Sequence, residues 1–285
     1  MKNLAKLKTP DYVIIGHITQ DITPDGKTPG GTALYSGLTA HALGMSVGIY
    51  TSYSKECNPP LPADIDLVNN ESKKTSTFKN IQTQHGRVQY IFSKAKNLDA
   101  NKIPDPWKKT KILHIGPVAN EVALKSLCVS PETLICITPQ GCLRQWDDEG
   151  KISYKSWQVN DTCLHLADLV VLSIVDVQHN EDDIEKIASH VKILVVTEGA
   201  HGARVYWNGD VRRFPAKRVT EIESTGAGDI FATSFFYRYI HTRNPWESAR
   251  FANQLASNSV TRILLDGIPT REEIHTHQME ILQNR

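Results

Sequence analysis

Residues 224 to 236 read STGAGDIFATSFF, so Gly226, Ala227 and Gly228 bring a tight turn to Asp229, and apolar and small residues follow. That order describes a turn that opens a buried helix. A helix start exposes unpaired N–H groups and the positive end of the peptide dipole, and small residues let an anion approach them closely. Phosphate is the natural guest. Asp229 falls in the first turn, where a carboxylate complements the dipole by about 0.3 to 1 kcal/mol. Beside a bound phosphate the same carboxylate would take the proton from an attacking hydroxyl. The stretch alone leaves both readings open.

A second group of residues lies near the other end. The apolar run YVIIG ends at Gly16, Asp21 follows, and Gly30-Gly31 precede TALYSGLTAHALG, which has the composition of a helix. Neither a G-x-x-x-x-G-K-[ST] loop nor a G-x-G-x-x-G fingerprint follows the first strand, so a nucleotide would be bound by another route. The remaining chemistry-bearing residues read as structure. His275 and His277 are two apart and would face away from each other on a helix. Asn180 followed by Glu181, Asp182 and Asp183 fits a capped helix start, and Thr270 to Glu273 is a T-x-x-E capping box.

The elements that must position these residues alternate along the chain. Short β-branched runs, YVIIG (12–16), VGIYTS (47–52), KILHIG (111–116), TLICIT (133–138), LVVLSI (169–174) and KILVVT (192–197), are separated by segments with helical spacing such as EVALKSLC and NEDDIEKIASH. This predicts an α/β fold with a mostly parallel sheet covered on both faces. No linker or repeat breaks the series, so 1–285 is expected to form one domain. Two stretches depart from the rhythm: HITQDITPDGKTPGG (17–31), with an Asp25-Gly26 turn signal, and TSTFKNIQTQHGRVQYIFS (75–93), with a turn at His85-Gly86. They predict β hairpins outside the central sheet, which would serve as a lid, an oligomer contact or ordinary surface hairpins.

Composition limits the partners. The 285 residues are 40% hydrophobic and 22% charged, with 32 Lys plus Arg against 31 Asp plus Glu, a net charge of +1. Such a balance gives no footprint for nucleic acid or an anionic membrane, so any anionic ligand is held locally. Five cysteines without a C-x-x-C pair argue against a disulfide framework or structural zinc and for packing in or near strands. The N-terminal stretch has too short an apolar run for a signal peptide, which predicts a cytoplasmic location.

The two glycine-rich stretches together resemble the signatures of the ribokinase-like (phosphofructokinase-B-type) carbohydrate kinases. The first signature is a strand ending in glycine, an aspartate a few residues on, and a Gly-Gly pair opening a helix that closes with Leu-Gly. The second is [DE]-x-T-G-A-G-D with an apolar helix behind it, matched here by ESTGAGDIFATSFF. The resemblance implies a three-layer sandwich with a small β lid built from about 17–31 and 75–93. It implies Asp229 as general base, the amides of Gly226, Ala227 and Gly228 as the anion hole, and Asp21, Gly30 and Gly31 against the acceptor hydroxyls. TEGAHGA resembles the family's nucleotide segment, which implies Thr197, Gly199 and Gly202 beside ATP, and the resemblance places Thr225 of the second signature there as well.

Several positions depart from the family pattern. Tyr35 stands where an asparagine often contacts the sugar, Glu223 opens the second signature where aspartate is usual, and the N-x-x-E segment corresponds to Ser173-Ile174-Val175-Asp176. Asp176 would still hold magnesium through water. Use of a monovalent cation stays open. TPQGCLRQW (138–146) resembles a D-x-Q-G-x-x-R segment of short members, including the myo-inositol kinase branch, with Thr138 in place of the acid. That implies Gln140 and Arg144 as substrate contacts, against the alternative that Arg144 and Trp146 are a packed surface pair. The expected activity is transfer of the γ-phosphoryl group of ATP, with Mg2+, to a hydroxyl of a small polyol or sugar such as an inositol. The alternatives are a catalytically decayed sugar or nucleotide sensor and a nucleoside or pyridoxal-type kinase, for which Tyr35 or Phe78 would stack on the base. An exposed lid edge would permit a homodimer.

Overall fold

A computed structural model describes residues 8–84, 86–124, 127–157 and 162–283, and in it all six apolar runs become strands of one sheet. In chain order the first half contains β1 (Tyr12–Ile15), β2 (Thr19–Thr23), β3 (Gly26–Gly30), α1 (Thr32–Ala42), β4 (Val47–Thr51), β5 (Asp66–Asn69), β6 (Ser76–Thr83), β7 (Gly86–Ser93), β8 (Leu98–Asp99), β9 (Ile112–Ile115), β10 (Val122–Ala123) and β11 (Leu134–Ile137). The second half contains β12 (Arg144–Trp146), β13 (Ile152–Tyr154), α2 (Thr162–Leu166), β14 (Leu169–Ser173), α3 (Glu181–Ala188), β15 (Ile193–Thr197), β16 (Ala203–Trp207), β17 (Asp210–Phe214), α4 (Ala227–Thr242), α5 (Pro245–Ser259) and α6 (Arg271–Gln283).

The central sheet has nine strands in the order β17-β16-β15-β14-β11-β9-β1-β4-β5. The pairings from β5 to β15 are parallel, and only β16 and β17 run antiparallel at one edge. Because side chains alternate along a strand, β1 supplies two cores. Tyr12 and Ile14 face a cluster that contains Leu34 of α1, Phe231 and Phe235 of α4 and Ala249 of α5. Val13 and Ile15 face the other, with Trp107, Leu164 of α2, and Ile184 and Ile187 of α3. The strands are apolar on both faces because both faces are covered.

Both irregular stretches form hairpins, and they join. The second sheet has the order β3-β2-β6-β7, with β2 parallel to β6 through Thr19↔Ser76, Gln20↔Thr77 and Asp21↔Phe78. This small sheet, referred to as the lid, is built from the two stretches expected to form one. Its first turn falls one residue earlier than the Asp25-Gly26 signal: Thr23 pairs with Gly26, which leaves Pro24 and Asp25 as the turn. Proline fixes φ for the first turn position, and Gly26 follows at φ 125°. In the second hairpin Thr83 pairs with Gly86, and His85 lies outside the described residues.

The helix expected over EVALKSLC is not formed. Val122–Ala123 pair with Leu98–Asp99 instead, and Lys125 and Ser126 lie outside the described residues. Glu121 explains the departure, because its buried carboxylate turns back onto the N–H groups of Val118 and Ala119 and fixes a loop where a helix would start. The other helix signals hold. Asn180 accepts from the Asp183 N–H, and Thr270 and Glu273 exchange hydrogen bonds as a capping box at α6. Cys136 lies in β11 and Cys57 and Cys142 are also buried, whereas Cys128 is exposed in a loop rather than packed, and the Cys163 side chain is outside the described part. Among the described residues no helix is long and apolar enough to cross a membrane.

Candidate active site

The residues singled out by sequence gather beyond the carboxyl ends of the parallel strands, where open α/β sheets present their loops. Asp21 leaves β1 through the lid, Gln140 follows β11, Asp176 follows β14, and Thr197 ends β15. Asp229 arrives from the far end of the chain on α4, the helix that packs against α1.

The start of α4 is built around one contact. Gly226 is the N-cap, in the left-handed region at φ 81°, and a Cβ there would lie 2.2 Å from Cδ1 of Tyr35. Only glycine fits both the conformation and the space. Tyr35 is thereby a wall of this turn, 1% exposed, in a cluster with Leu43, Ile230, Phe251, Leu255 and Ile274. The Ala227 N–H already donates to the Ser224 carbonyl at 3.1 Å, so it is engaged in the turn rather than available as the third amide of an anion hole. Among the described residues Gly226 and Gly228 donate to no backbone carbonyl, and a Cβ at Gly228 would meet nothing within 4 Å. Gly228 therefore borders open space at the positive end of the helix, whereas Gly226 packs on Tyr35.

Asp229 sits three residues into this helix and is half-buried. Burial pushes its carboxyl up from 3.8 to about 6; a hydrogen bond with the Thr32 hydroxyl and the nearby Arg144 charge oppose the rise, and the Asp176 carboxylate adds to it. Four side chains from α1, β12, the loop after β14 and α4 thus share one electrostatic environment. Thr32 escaped the sequence reading; its signal is that it directly follows Gly30-Gly31 as the first residue of α1.

Each neighbour is held in turn. Gln140 donates to Asp176 Oδ1 at 3.3 Å, and the Ser173 N–H donates to Asp176 Oδ2 at 3.2 Å. Each carboxylate oxygen keeps a further lone pair, so Asp176 suits a hydrated, oxygen-seeking cation such as Mg2+. Arg144 donates to the Val118 carbonyl at 3.0 Å, and its guanidinium lies 5.8 Å from the centre of the Phe78 ring. It is tied to the lid rather than to Trp146, whose ring faces Lys94. Phe78 is itself 4% exposed, packed with Ile91, Val118 and Ala119. Both aromatic rings that would have stacked on a base are therefore interior packing.

On the lid, Gly30 leaves room for Asp21: a Cβ at Gly30 would lie 2.6 Å from Asp21 Oδ2. Gly31 has φ 90°, and a Cβ there would lie 2.7 Å from the His17 carbonyl. Asn80 donates to Asp21 Oδ1 at 3.5 Å and accepts from Gln89 at 2.8 Å, which makes a polar ladder across β2, β6 and β7. The sequence reading missed Asn80 and Gln89. The strand alternation that places them on the same face as Phe78 and Ile91 shows only once the register is known.

On the opposite flank, Thr197 donates to the Leu172 carbonyl at 3.4 Å, and the Glu198 N–H donates to the Gly202 carbonyl at 2.7 Å. Gly199 (φ 58°) faces open space, whereas Gly202 (φ 95°) packs so that a Cβ would lie 2.0 Å from the Phe214 carbonyl. Glu198 is paired to Arg204 at 2.7 Å, and Arg204 also binds Glu181 through two nitrogens. Thr225 is half-buried in the turn before α4, and Glu223 accepts from the Leu264 N–H at 3.1 Å.

Below the site runs a buried polar ladder. Tyr12 Oη is 3.3 Å from Thr233 Oγ1 and 2.6 Å from His114 Nδ1, and His114 Nε2 is 2.8 Å from Thr138 Oγ1. Burial lowers the His114 pKa to about 3, so the ring is neutral, with one ring nitrogen donating and the other accepting between Tyr12 and Thr138. The ladder ties α4, one turn past Asp229, to the loop that carries Gln140.

Comparison with known proteins bears on the family and the fold. Residues 158–270 match the profile of the pfkB family carbohydrate kinases. A cytidine kinase of Thermococcus kodakarensis is 26% identical over 276 residues, covering 86% of this chain and 94% of the relative. Among solved structures, a pyrophosphate-dependent kinase in the ribokinase family, complexed with a pyrophosphate analog and myo-inositol, superposes with a TM-score of 0.74 at 18% identity, covering 93% of this chain and 99% of that one. Ribokinase from Thermotoga maritima gives 0.72 at 18% identity, covering 95% and 99%.

Proposed function

We propose that this chain, which is a ribokinase-like carbohydrate kinase of the pfkB type, transfers the γ-phosphoryl group of ATP to one hydroxyl of a small polyol or sugar, with Asp229 as the general base. The observation that carries the reading is Asp229 itself: a carboxylate at a helix start that borders open space at Gly228, with a pKa raised to about 6. A base whose pKa lies near the working pH is both ionised and a good proton acceptor.

In this mechanism the acceptor lies between the sheet and the lid. Asp21, beside Gly30 and Gly31, takes hydrogen bonds from its hydroxyls, and Gln140 meets another part of it. Asp229 withdraws the proton from the reacting hydroxyl, and the oxygen attacks the γ-phosphorus in line. The Gly226 and Gly228 amides and the Arg144 guanidinium offset the charge that gathers on the phosphoryl oxygens. Thr197, Gly199, Gly202 and Thr225 border the nucleotide. Asp176 would hold magnesium through water, and the ion would supply positive charge to offset that of the phosphates. Lid closure excludes water from the reaction. A polyol or sugar is favoured over a nucleoside because Tyr35 and Phe78 are consumed in packing and the inner lid is a polar ladder. The myo-inositol-bound neighbour makes an inositol the first acceptor to try.

The test is ADP release with MgATP across inositols, pentoses, hexoses and nucleosides, with pyrophosphate as a second donor because the inositol-bound neighbour uses it. Turnover on a polyol or sugar supports the reading. Turnover on nucleosides alone overturns the acceptor class, and ligand binding without turnover makes the chain a sensor.

A pH profile follows from the same carboxyl. Because the base acts only when ionised, and its pKa is raised to about 6, activity is retained above that value and lost below it. We expect log kcat/KM to fall by about one unit per pH unit on the acid side. A profile flat down to pH ~5 would remove Asp229 from the base role.

A further inference from the structure

His17 directly follows Gly16, the last residue of the first strand run, and is fully buried. The backbone passes between the central sheet and the lid four times, before β2, after β3, before β6 and after β7, and His17 touches every crossing. Its own N–H, at the first crossing, donates to Glu121 Oε1 at 3.0 Å. Its carbonyl abuts Gly31 at the second, where a Cβ would come within 2.7 Å. Its ring Nδ1 lies 2.8 Å from Ser76 Oγ at the third, and Nε2 lies 2.8 Å from the Lys96 carbonyl just past the fourth. A carbonyl only accepts, so Nε2–H donates to Lys96, and Nδ1 shares a hydrogen bond with the Ser76 hydroxyl. The Ser76 oxygen in turn accepts the Ala95 N–H at 2.9 Å.

Glu121 extends this knot toward the reacting groups. It is 1% exposed, and besides His17 it accepts from the N–H of Val118 at 3.0 and 3.1 Å and of Ala119 at 2.7 Å. Val118 carries Arg144 on its carbonyl and packs with Ala119 under Phe78 and Ile91 of the lid. A buried carboxylate is costly unless its lone pairs are filled, and here backbone donors from two separate segments fill them. An apolar pair would fill the same volume without tying those segments together.

We propose that His17 and Glu121 are positioning residues that fix the lid on the sheet and thereby hold Asp21, Asn80 and Arg144 over Asp229. Asp21 stands four residues beyond His17 on β2, and Phe78 stands two beyond Ser76 on β6, so a small rotation at the knot moves the whole inner face of the lid. The structural part stands on the contacts alone; its catalytic consequence rests on the kinase reading.

Amide hydrogen exchange of the full chain tests the structural part without any substrate. Wild type, Glu121→Gln and Ser76→Ala are compared in peptides over 19–30 and 76–84 of the lid and 112–115 and 193–197 of the sheet. In both variants lid exchange should rise about tenfold while the sheet stays within about twofold. Equal rises in lid and sheet would make the pair ordinary core, and an unchanged lid would also overturn the proposal. Should Glu121→Gln not fold, Ser76→Ala, which removes one hydroxyl from the His17 ring, decides alone. In wild type and Ser76→Ala the acceptor KM should then differ by about tenfold with the nucleotide KM within about twofold; equal changes in both overturn the positioning role. A chain with a loosened lid in the variants but no turnover in wild type refutes the kinase reading and leaves the knot in place.

Discussion

Asp229→Asn lowers kcat by about 10²- to 10⁴-fold while leaving the fold intact or more stable. The amide keeps the shape of the carboxylate and its hydrogen bond with Thr32, so the helix start is undisturbed, but it takes no proton. The stability sign follows from linkage. The folded pKa is raised from 3.8 to about 6, so within that window the native state holds a proton that the unfolded chain has released. Stability therefore falls as pH rises through the window, and above it the full cost of the buried charge is present. Asparagine carries no such cost, so at pH 8 its Tm should equal or exceed that of wild type. Steady-state kinetics and thermal unfolding of the same preparation check both halves. Unchanged turnover sinks the base; a drop in Tm with the lost activity would make the loss a folding defect.

Gly226→Ala should be comparably damaging for a different reason. Alanine at φ 81° costs about 1 to 2 kcal/mol in the left-handed region. Its methyl would also stand 2.2 Å from the Tyr35 ring, so either the ring or the turn must move. Movement of the turn displaces an anion-facing amide, and loss of one such donor typically costs about 10²- to 10³-fold in kcat. Two companion variants separate the causes. Tyr35→Leu in the Gly226→Ala background should recover part of the Tm, since the two residues touch and their effects do not add. Gly228→Ala meets open space in a helix, where alanine is favoured by about 1 kcal/mol, and should not lower Tm. A Gly226→Ala protein with wild-type kcat would show that this amide does not face the transferred group.

The main sheet was legible because its information is local and redundant. Each of the six runs is apolar on both faces, which leaves no register in which it could lie at the surface. The STGAGD turn was legible for a similar reason: glycine at Gly226 is demanded by a backbone angle, and the apolar residues behind it leave only a buried helix. Contacts that cross long stretches of sequence were not legible. Glu121 looked like one residue of an amphipathic segment, and nothing local says that it reaches back to His17. Tyr35 looked free to meet a substrate because its neighbour Gly226 is far away in the chain. Ala227 looked like a donor because small residues signal an open helix start, whereas the Ser224 carbonyl that occupies it depends on the turn type.

The strand order also carries a consequence for how the protein is made. β1, near the N-terminus, lies between β4 and β9, so its hydrogen-bonding edges are not both filled until residue 115 has been synthesised. Thr32 and Asp229 meet only after α4 has emerged and docked on α1. Such long-range parallel pairing folds slowly, and until α4 and α5 arrive that face of the growing sheet is covered only over β1 and β4, by α1. A ribosome-bound chain that stops short of α4 would expose Val171, Val195 and Val205 as a sticky apolar surface, so this protein's yield in a cell depends on what shields that surface during its synthesis.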